Sequence, residues 1–342
     1  MSTALAFTRD HAGHHKHGHV ERPERLERVQ TLVTEDAPLQ DGLVRITPGT
    51  ADLDLPALVH TESYLQKIVD TVEGGGGMLD TDTYATSDSL QVGLESLAVQ
   101  RALAETVLSG QADNAFAATR PPGHHATPTR PMGFCLFSNV AITARWMQQQ
   151  HGVERIAIID FDVHHGNGTQ DTFYTDPDVL FVSLHQHPLY PGSGMVDEVG
   201  HDAGEGTTLN VPLPPRCGDA AYQHAMRRVV VPAVTEFEPD VLMISAGYDA
   251  HDRDPLGTMH VSTTGFAVLM EDLLEVADRT CGGRLMAALE GGYDADALAE
   301  SVQATLHVMA GTATGALVRS ADTPSAQVQQ LLEDVARLHG LD

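Results

Sequence analysis

Five short apolar runs, separated by longer stretches with helical spacing, constrain this 342-residue chain more than any other feature. They are 114–119 (NAFAAT), 155–160 (RIAIID), 179–184 (VLFVSL), 240–246 (DVLMISA) and 284–289 (RLMAAL). Strands that are apolar almost throughout, rather than at alternate positions, belong to parallel sheets covered on both faces. The helical patterns at 89–108, 137–150, 219–237, 264–279 and 294–310 supply the covering layers. The alternation predicts an α/β fold, an open parallel sheet with helices on both faces. With no internal repeat and no long linker, the chain reads as a single domain over 1–342. Asp219 is the predicted N-cap of its helix, and Gly265 is a weak point near the start of the next. The glycine run 73–77 (EGGGG) reads as a surface loop, and 318–342 as a terminal extension with one amphipathic helix.

Ligands of open α/β sheets sit beyond the carboxyl ends of the strands, and the polar residues can be sorted by that rule. His124 and His125 follow the first run, in RPPGHHA. Asp160, Asp162, His164 and His165 close the second, in IIDFDVHHGNG. Asp249 follows the fourth in GYDAHDRDP, and Tyr293 follows the fifth in EGGYD. A solvated strand end explains one such cluster. Four strands delivering titratable groups to one edge point to a site, because acids and histidines are costly in an interior unless paired or bound to a cation.

Positions 160, 162 and 164 share one face if the strand stays extended. Asp162, His164 and Asp249 then form a mixed oxygen and nitrogen set of three, which suits a divalent ion with a position left open for water. An ion so held lowers the pKa of its water and polarises a carbonyl. The tandem His124 and His125, on a rigid turn, can divide general base and general acid roles. The segment HAGHHKHGH (11–19) is also rich in histidine but precedes no predicted strand, and it reads as a mobile rim loop.

Composition narrows the partners. The formal net charge is -27, from 47 acidic and 20 basic side chains, and Lys16 and Lys67 are the only lysines. Such a surface repels phosphate backbones and anionic lipid, so neither nucleic acid nor membrane is expected as a partner. No apolar stretch has membrane-spanning length, and no basic segment followed by an apolar core opens the chain. Cys135, Cys217 and Cys281 lack metal-type spacing and read as free thiols of a reducing, cytoplasmic setting. The oligomeric state is left open, homodimer and homotetramer included.

Six ordered motifs, RPPGHHA, GFCLFSNVAI, IDFDVHHGNGTQ, FVSLHQHPLYPG, SAGYDAHDRDPLG and LEGGYD, resemble the zinc-dependent histone deacetylase family over roughly residues 3–310. The RPPGHH turn is similar to the class II branch and to bacterial deacetylase-like amidohydrolases. The resemblance implies an eight-stranded parallel sheet of the arginase/deacetylase type. It implies zinc ligands at Asp162, His164 and Asp249, and a catalytic pair at His124 and His125, the second being the base. Asp160 would back His124 and also help hold a structural potassium ion, with Ser183, Leu184 and the backbone of Asp162 and His164. Asn167 stands where class I members have an aspartate behind the second histidine, as is typical of class II; His125 should therefore be less basic. Tyr293 matches the oxyanion-stabilising tyrosine, with Gly291 and Gly292 before it at the substrate. Phe134 and Tyr190 match the aromatic walls of the acyl-lysine tunnel, and Gly133 would offer its carbonyl to the scissile amide N–H. Arg25 would line an acetate exit channel.

By this resemblance the chain is a deacetylase of N-acetyl-lysine-type or related acylated amines, with an acetylated small molecule or an acetyl-lysine protein or peptide as substrate. The rival substrate is an acetylpolyamine, which some relatives select with a rim glutamate; Leu256 stands at that position here. A ureohydrolase would need further aspartates, and Val163 occupies the place between Asp162 and His164. An inactive acyl-lysine binding module would be expected to have lost Tyr293 or a ligand.

Overall fold

The computed structural model describes residues 1–341. Its strands in chain order are β1 (Thr3–Phe7), β2 (Leu43–Arg45), β3 (Gly76–Met78), β4 (Tyr84–Thr86), β5 (Asn114–Ala118), β6 (Ile156–Asp160), β7 (Val179–Gln186), β8 (Thr208–Leu213), β9 (Val241–Ala246) and β10 (Leu285–Leu289). Eight of them form one sheet in the order β2-β1-β5-β10-β9-β6-β7-β8, and β3 and β4 form a separate antiparallel hairpin. Every pairing in the large sheet is parallel. The five expected strands form one contiguous block, flanked by β1 and β2 on one side and β8 on the other.

Period-two alternation explains why central strands are apolar throughout. In β6, Ala157 and Ile159 enter one hydrophobic core while Ile156 and Ile158 enter another on the opposite face. In β9 the split is Leu242, Ile244 and Ala246 against Val241 and Met243. Side chains of one strand thus serve two cores. The first core is closed by helices that include Pro23–Glu35, Thr263–Cys281, Ala295–Met309 and Ala326–Leu338, the second by Glu62–Glu73, Ser89–Leu108 and Asn139–His151. This is the doubly covered parallel sheet the sequence predicts.

Several local expectations are corrected. The 219–237 pattern folds as Asp219–Ala225, a π-helical turn Met226–Val230 and Val231–Phe237. Pro232 has no N–H for the carbonyl of Arg228, and the widened turn accommodates it. Gly218, not Asp219, is the N-cap there. Asp219 instead accepts from the amide and hydroxyl of Ser262, at 2.8 and 2.7 Å. Gly265 packs against that carboxylate, where a Cβ would come within 2.1 Å of Oδ1, so its cost to the helix is offset by this approach. The glycine run is not simply loop, since Gly76 and Gly77 belong to β3.

The 11–19 segment is also anchored rather than loose. His11 and His14 are buried. The Arg120 guanidinium donates to the carbonyls of His11 and His14 and, at 2.8 and 2.7 Å, to both carboxylate oxygens of Glu21. A histidine-rich string looks solvated in sequence, but here two of its carbonyls hold a buried arginine. Among the described residues no helix is long and apolar enough to cross a membrane.

Candidate active site

The carboxyl ends of β5, β6, β9 and β10 lie side by side, and each releases its polar residues into the same space. Beyond β6 the chain stays ordered by bonding to itself. Asp160 Oδ1 accepts the amide of Asp162 at 3.0 Å, and Asp162 Oδ1 accepts the amide of His164 at 2.9 Å. Asp249, just past β9, accepts the amide of Val163 at 2.8 Å through Oδ1. The turn after β10 closes the group when Gly291 N–H donates to Asp162 Oδ2 at 2.9 Å. Only glycine fits at 291, since a Cβ there would lie 2.2 Å from Asp249 Oδ2 and 2.5 Å from Asp162 Oδ2.

Asp162, His164 and Asp249 thereby offer three ligand atoms within 4.8 Å of one another, all buried. His164 Nδ1 lies 3.1 Å from Asp162 Oδ1 and 3.1 Å from Asp249 Oδ2. Two buried carboxylates this close demand a shared positive charge. Burial and the charge of Asp162 push Asp249 up to about 7. Burial works against a charged His164, yet hydrogen bonds to both carboxylates raise it to about 10. A compact oxygen and nitrogen donor set with such a demand for positive charge fits a borderline dication such as zinc.

The two neighbouring histidines are driven apart electrostatically. His124 donates through Nδ1 to Asp160 Oδ2 at 2.9 Å. Burial opposes its charge, but Asp162 and Asp160 outweigh burial and hold its pKa well above the ordinary imidazole value. His125 pairs through Nδ1 with Asn167 Oδ1 at 2.8 Å. An amide oxygen can only accept, so Nδ1 carries the proton and Nε2 is left with a lone pair. Burial, then the charges of His124 and His164, push His125 well below the usual value.

The remaining predicted residues gather around this core. The Tyr293 ring packs edge-on to Phe134 at 5.7 Å and under the Arg25 guanidinium at 4.7 Å. Burial raises the Tyr293 phenol well above its ordinary range, so it remains a hydrogen-bond donor. Tyr190, 37% exposed, stands edge-on to His125 at 5.1 Å. The Gly133 carbonyl accepts the Cys135 thiol at 3.2 Å and keeps a second lone pair. Leu256 is half-buried in the loop beyond Asp254. Ser183 lies opposite Asp160 in the β6–β7 ladder, with its hydroxyl on His185 Nδ1 at 2.9 Å. Leu184 gives its side chain to the core, leaving only its backbone to serve as a ligand.

Arg25 is buried beside the Tyr293 ring. Its Nε donates to the Gly292 carbonyl at 2.5 Å, Nη2 to the Glu290 carbonyl at 2.7 Å and Nη1 to Glu21 at 3.1 Å. These donors brace the turn that carries Tyr293.

Four further residues support the site. Buried Glu290 accepts the amides of Gly123 and His124, at 2.6 and 3.2 Å, and so fixes the histidine turn. Its signal was an acid directly after a buried strand. Asp82 and Thr83, in the β3–β4 turn, accept the amides of Gly133 and Phe134 at 3.2 and 3.0 Å. Nothing local to them announces a contact across 51 positions. Asp254 Oδ2 accepts the amide of Tyr293 at 2.6 Å.

Comparison with known proteins agrees with this geometry. The family model for the histone deacetylase domain matches residues 19–309. Histone deacetylase 10, chloroplastic, of Oryza sativa subsp. japonica is 40% identical, covering 96% of this chain and 79% of the relative. The probable deacetylase of Archaeoglobus fulgidus is 38% identical over 99% of this chain and 98% of its own. The histone deacetylase-like amidohydrolase of Pseudomonas aeruginosa is 40% identical over 81% and 73%. The crystal structure of the HDA15 HD domain superposes with a TM-score of 0.90 at 33% identity, covering 99% of this chain and 94% of that one.

Proposed function

The chain belongs to the histone deacetylase family of hydrolases, and on that premise we propose a zinc-dependent amidohydrolase that deacetylates N-acetyl-lysine-type amines. The observation that carries this reading is the convergence of Asp162, His164 and Asp249 within 4.8 Å, beside a histidine pair and Tyr293. Zinc held by those three residues supplies a Lewis acid that polarises the acyl carbonyl and makes water more acidic. The chain's own groups do the rest. His125, neutral and with Nε2 free, takes a proton from the attacking water. Tyr293 donates its hydroxyl to the oxygen on which charge develops. Protonation of the departing amine falls to the same imidazole pair. Phe134 and Tyr190 flank the acyl-lysine stem and keep water from it, Gly133 offers its carbonyl to the amide N–H, and Gly291 and Gly292 let the Tyr293 turn approach the ligands. The family resemblance also carries a structural potassium near Asp160, Ser183 and Leu184. In support, Asp160 and Ser183 face each other across one ladder and present oxygens, the donors hard cations prefer.

The test is a screen of acetylated peptides, acetylpolyamines and longer acyl-lysines with zinc-loaded protein, alongside metal analysis of the purified chain. Leu256 leaves the rim without the carboxylate that would pair with a second ammonium. N-acetyl-lysine peptides are therefore expected to be turned over at least as well as N8-acetylspermidine. Leu256→Glu should move the kcat/KM ratio toward the polyamine; a strong polyamine preference in the unmodified protein would refute the specificity argument.

Asn167 offers a sharper handle on His125. An aspartate there would favour the imidazolium, raising the pKa of His125, typically by about 1–3 units for an opposite charge in contact. Because the base works neutral, the acid limb of the kcat/KM profile should move to higher pH in Asn167→Asp. A profile that does not move would separate Asn167 from the basicity of His125.

A further inference from the structure

Among the buried carboxylates outside the chemistry above, Asp254 stands next to the oxyanion donor. Asp254 is 8% exposed and lies five positions after Asp249. Its Oδ2 accepts the amide of Tyr293 at 2.6 Å and, more distantly, that of Asp294 at 3.4 Å. Its Oδ1 accepts the amide of Leu256 at 2.9 Å. One side chain thus ties the loop that carries the rim residue Leu256 to the turn that carries Tyr293.

We propose that Asp254 is a positioning residue that holds Tyr293 in register with the metal-ligand cluster and joins the rim to the oxyanion donor as one rigid unit. The proposal rests on the reading of Tyr293 given above. Three physical points carry it. An ionised acceptor makes hydrogen bonds roughly twice as strong as a neutral one, and Asp254 directs them to main-chain amides rather than to mobile side chains. The amides it binds also precede the helix Ala295–Met309, whose N-terminal dipole favours a negative charge. Asp294 does not compete, since its own Oδ1 accepts the amide of Ala297 at 2.7 Å.

The third point is leverage. Arg25 holds the Gly292 carbonyl and one face of the Tyr293 ring, and Phe134 packs on the ring edge. These contacts leave the Tyr293 amide to Asp254. The phenol lies at the far end of the side chain, so a small tilt of the main chain is magnified at the hydroxyl. Misplacing a catalytic group by about 1 Å can cost roughly 10²-fold in rate.

A merely structural role and a positioning role separate in a double-mutant cycle on the full-length, zinc-loaded protein. The variants are Asp254→Asn, Tyr293→Phe and their combination, with Asp254→Ala as a harsher companion. Asparagine keeps the shape and one acceptor but turns an NH2 donor toward an N–H, so it is the variant expected to fold. Each is assayed for kcat, KM and zinc content. Asp254→Asn is expected to lower kcat by about 10–100-fold, with KM within about threefold and zinc unchanged. In the Tyr293→Phe background the same substitution should cost less than about threefold, because the hydroxyl it places is already gone. An equal loss in both backgrounds, or a loss that follows zinc content, overturns the proposal. So does normal kcat in Asp254→Asn. Near-normal turnover in Tyr293→Phe alone would remove the role given to Tyr293, a failure this cycle reads separately.

Discussion

Asp249→Ala is expected to lose zinc and turnover together while the chain remains folded. Losing an outer hydrogen-bond partner of a metal ligand typically costs about 10–100-fold in affinity or activity, and loss of one of three ligands should exceed that and leave only background rate. The fold should survive for two reasons. The substitution leaves Val163 N–H without its acceptor, a cost of about 1–3 kcal/mol. It also removes one of two buried carboxylates that repel each other across His164. Asp249→Asn keeps an acceptor for Val163 and isolates loss of the charged ligand from loss of that bond. Zinc content by elemental analysis, thermal unfolding and turnover are the measurements. Full zinc occupancy in the alanine variant would sink the ligand assignment.

Tyr293→Phe should be the second largest effect. The phenylalanine ring keeps the contacts with Arg25 and Phe134, so zinc content and stability should hardly change. In the proposed mechanism the lost hydroxyl serves charge that develops only in the tetrahedral intermediate, so kcat should fall much more than substrate affinity. Deleting one such donor typically costs about 10²–10³ in turnover, or roughly 3–4 kcal/mol. Steady-state kinetics with direct binding of an uncleaved substrate analogue measures both quantities. Turnover close to that of the parent would mean another group holds the oxyanion, and a binding-module role would then need a different discriminator.

What was legible in the sequence follows from burial. β5, β10, β9, β6 and β7 are central, covered on both sides, and so are apolar at nearly every position; a short apolar run is visible without knowing its neighbours. β2 and β8 escaped because less is asked of edges; β1 is paired on both sides, and edge position does not explain it. β2 spans three residues of mixed exposure, and β8 admits Asn210 and Pro212, the latter tolerable where one side of the ladder is open. Asp162, His164, Asp249, His124, His125 and Tyr293 were legible for a related reason. Charged and polar groups placed directly after buried strands are expensive unless they serve a purpose, and the strand-end rule says where they converge.

Other features needed the tertiary structure. The sequence does not show that Arg25 donates to the carbonyls of Gly292 and Glu290, more than 260 positions away. It read the 11–19 segment as loose, whereas Arg120 pins two of its carbonyls from more than a hundred positions away. Glu290 under the histidine turn, Asp82 and Thr83 behind Gly133 and Phe134, and Asp254 behind Tyr293 are all acceptors for distant main-chain amides. A backbone amide has no identity in a sequence. Which side chain meets it depends on how remote segments pack, so the residues that perform the proposed chemistry could be read from the string, and those that hold them in place could not.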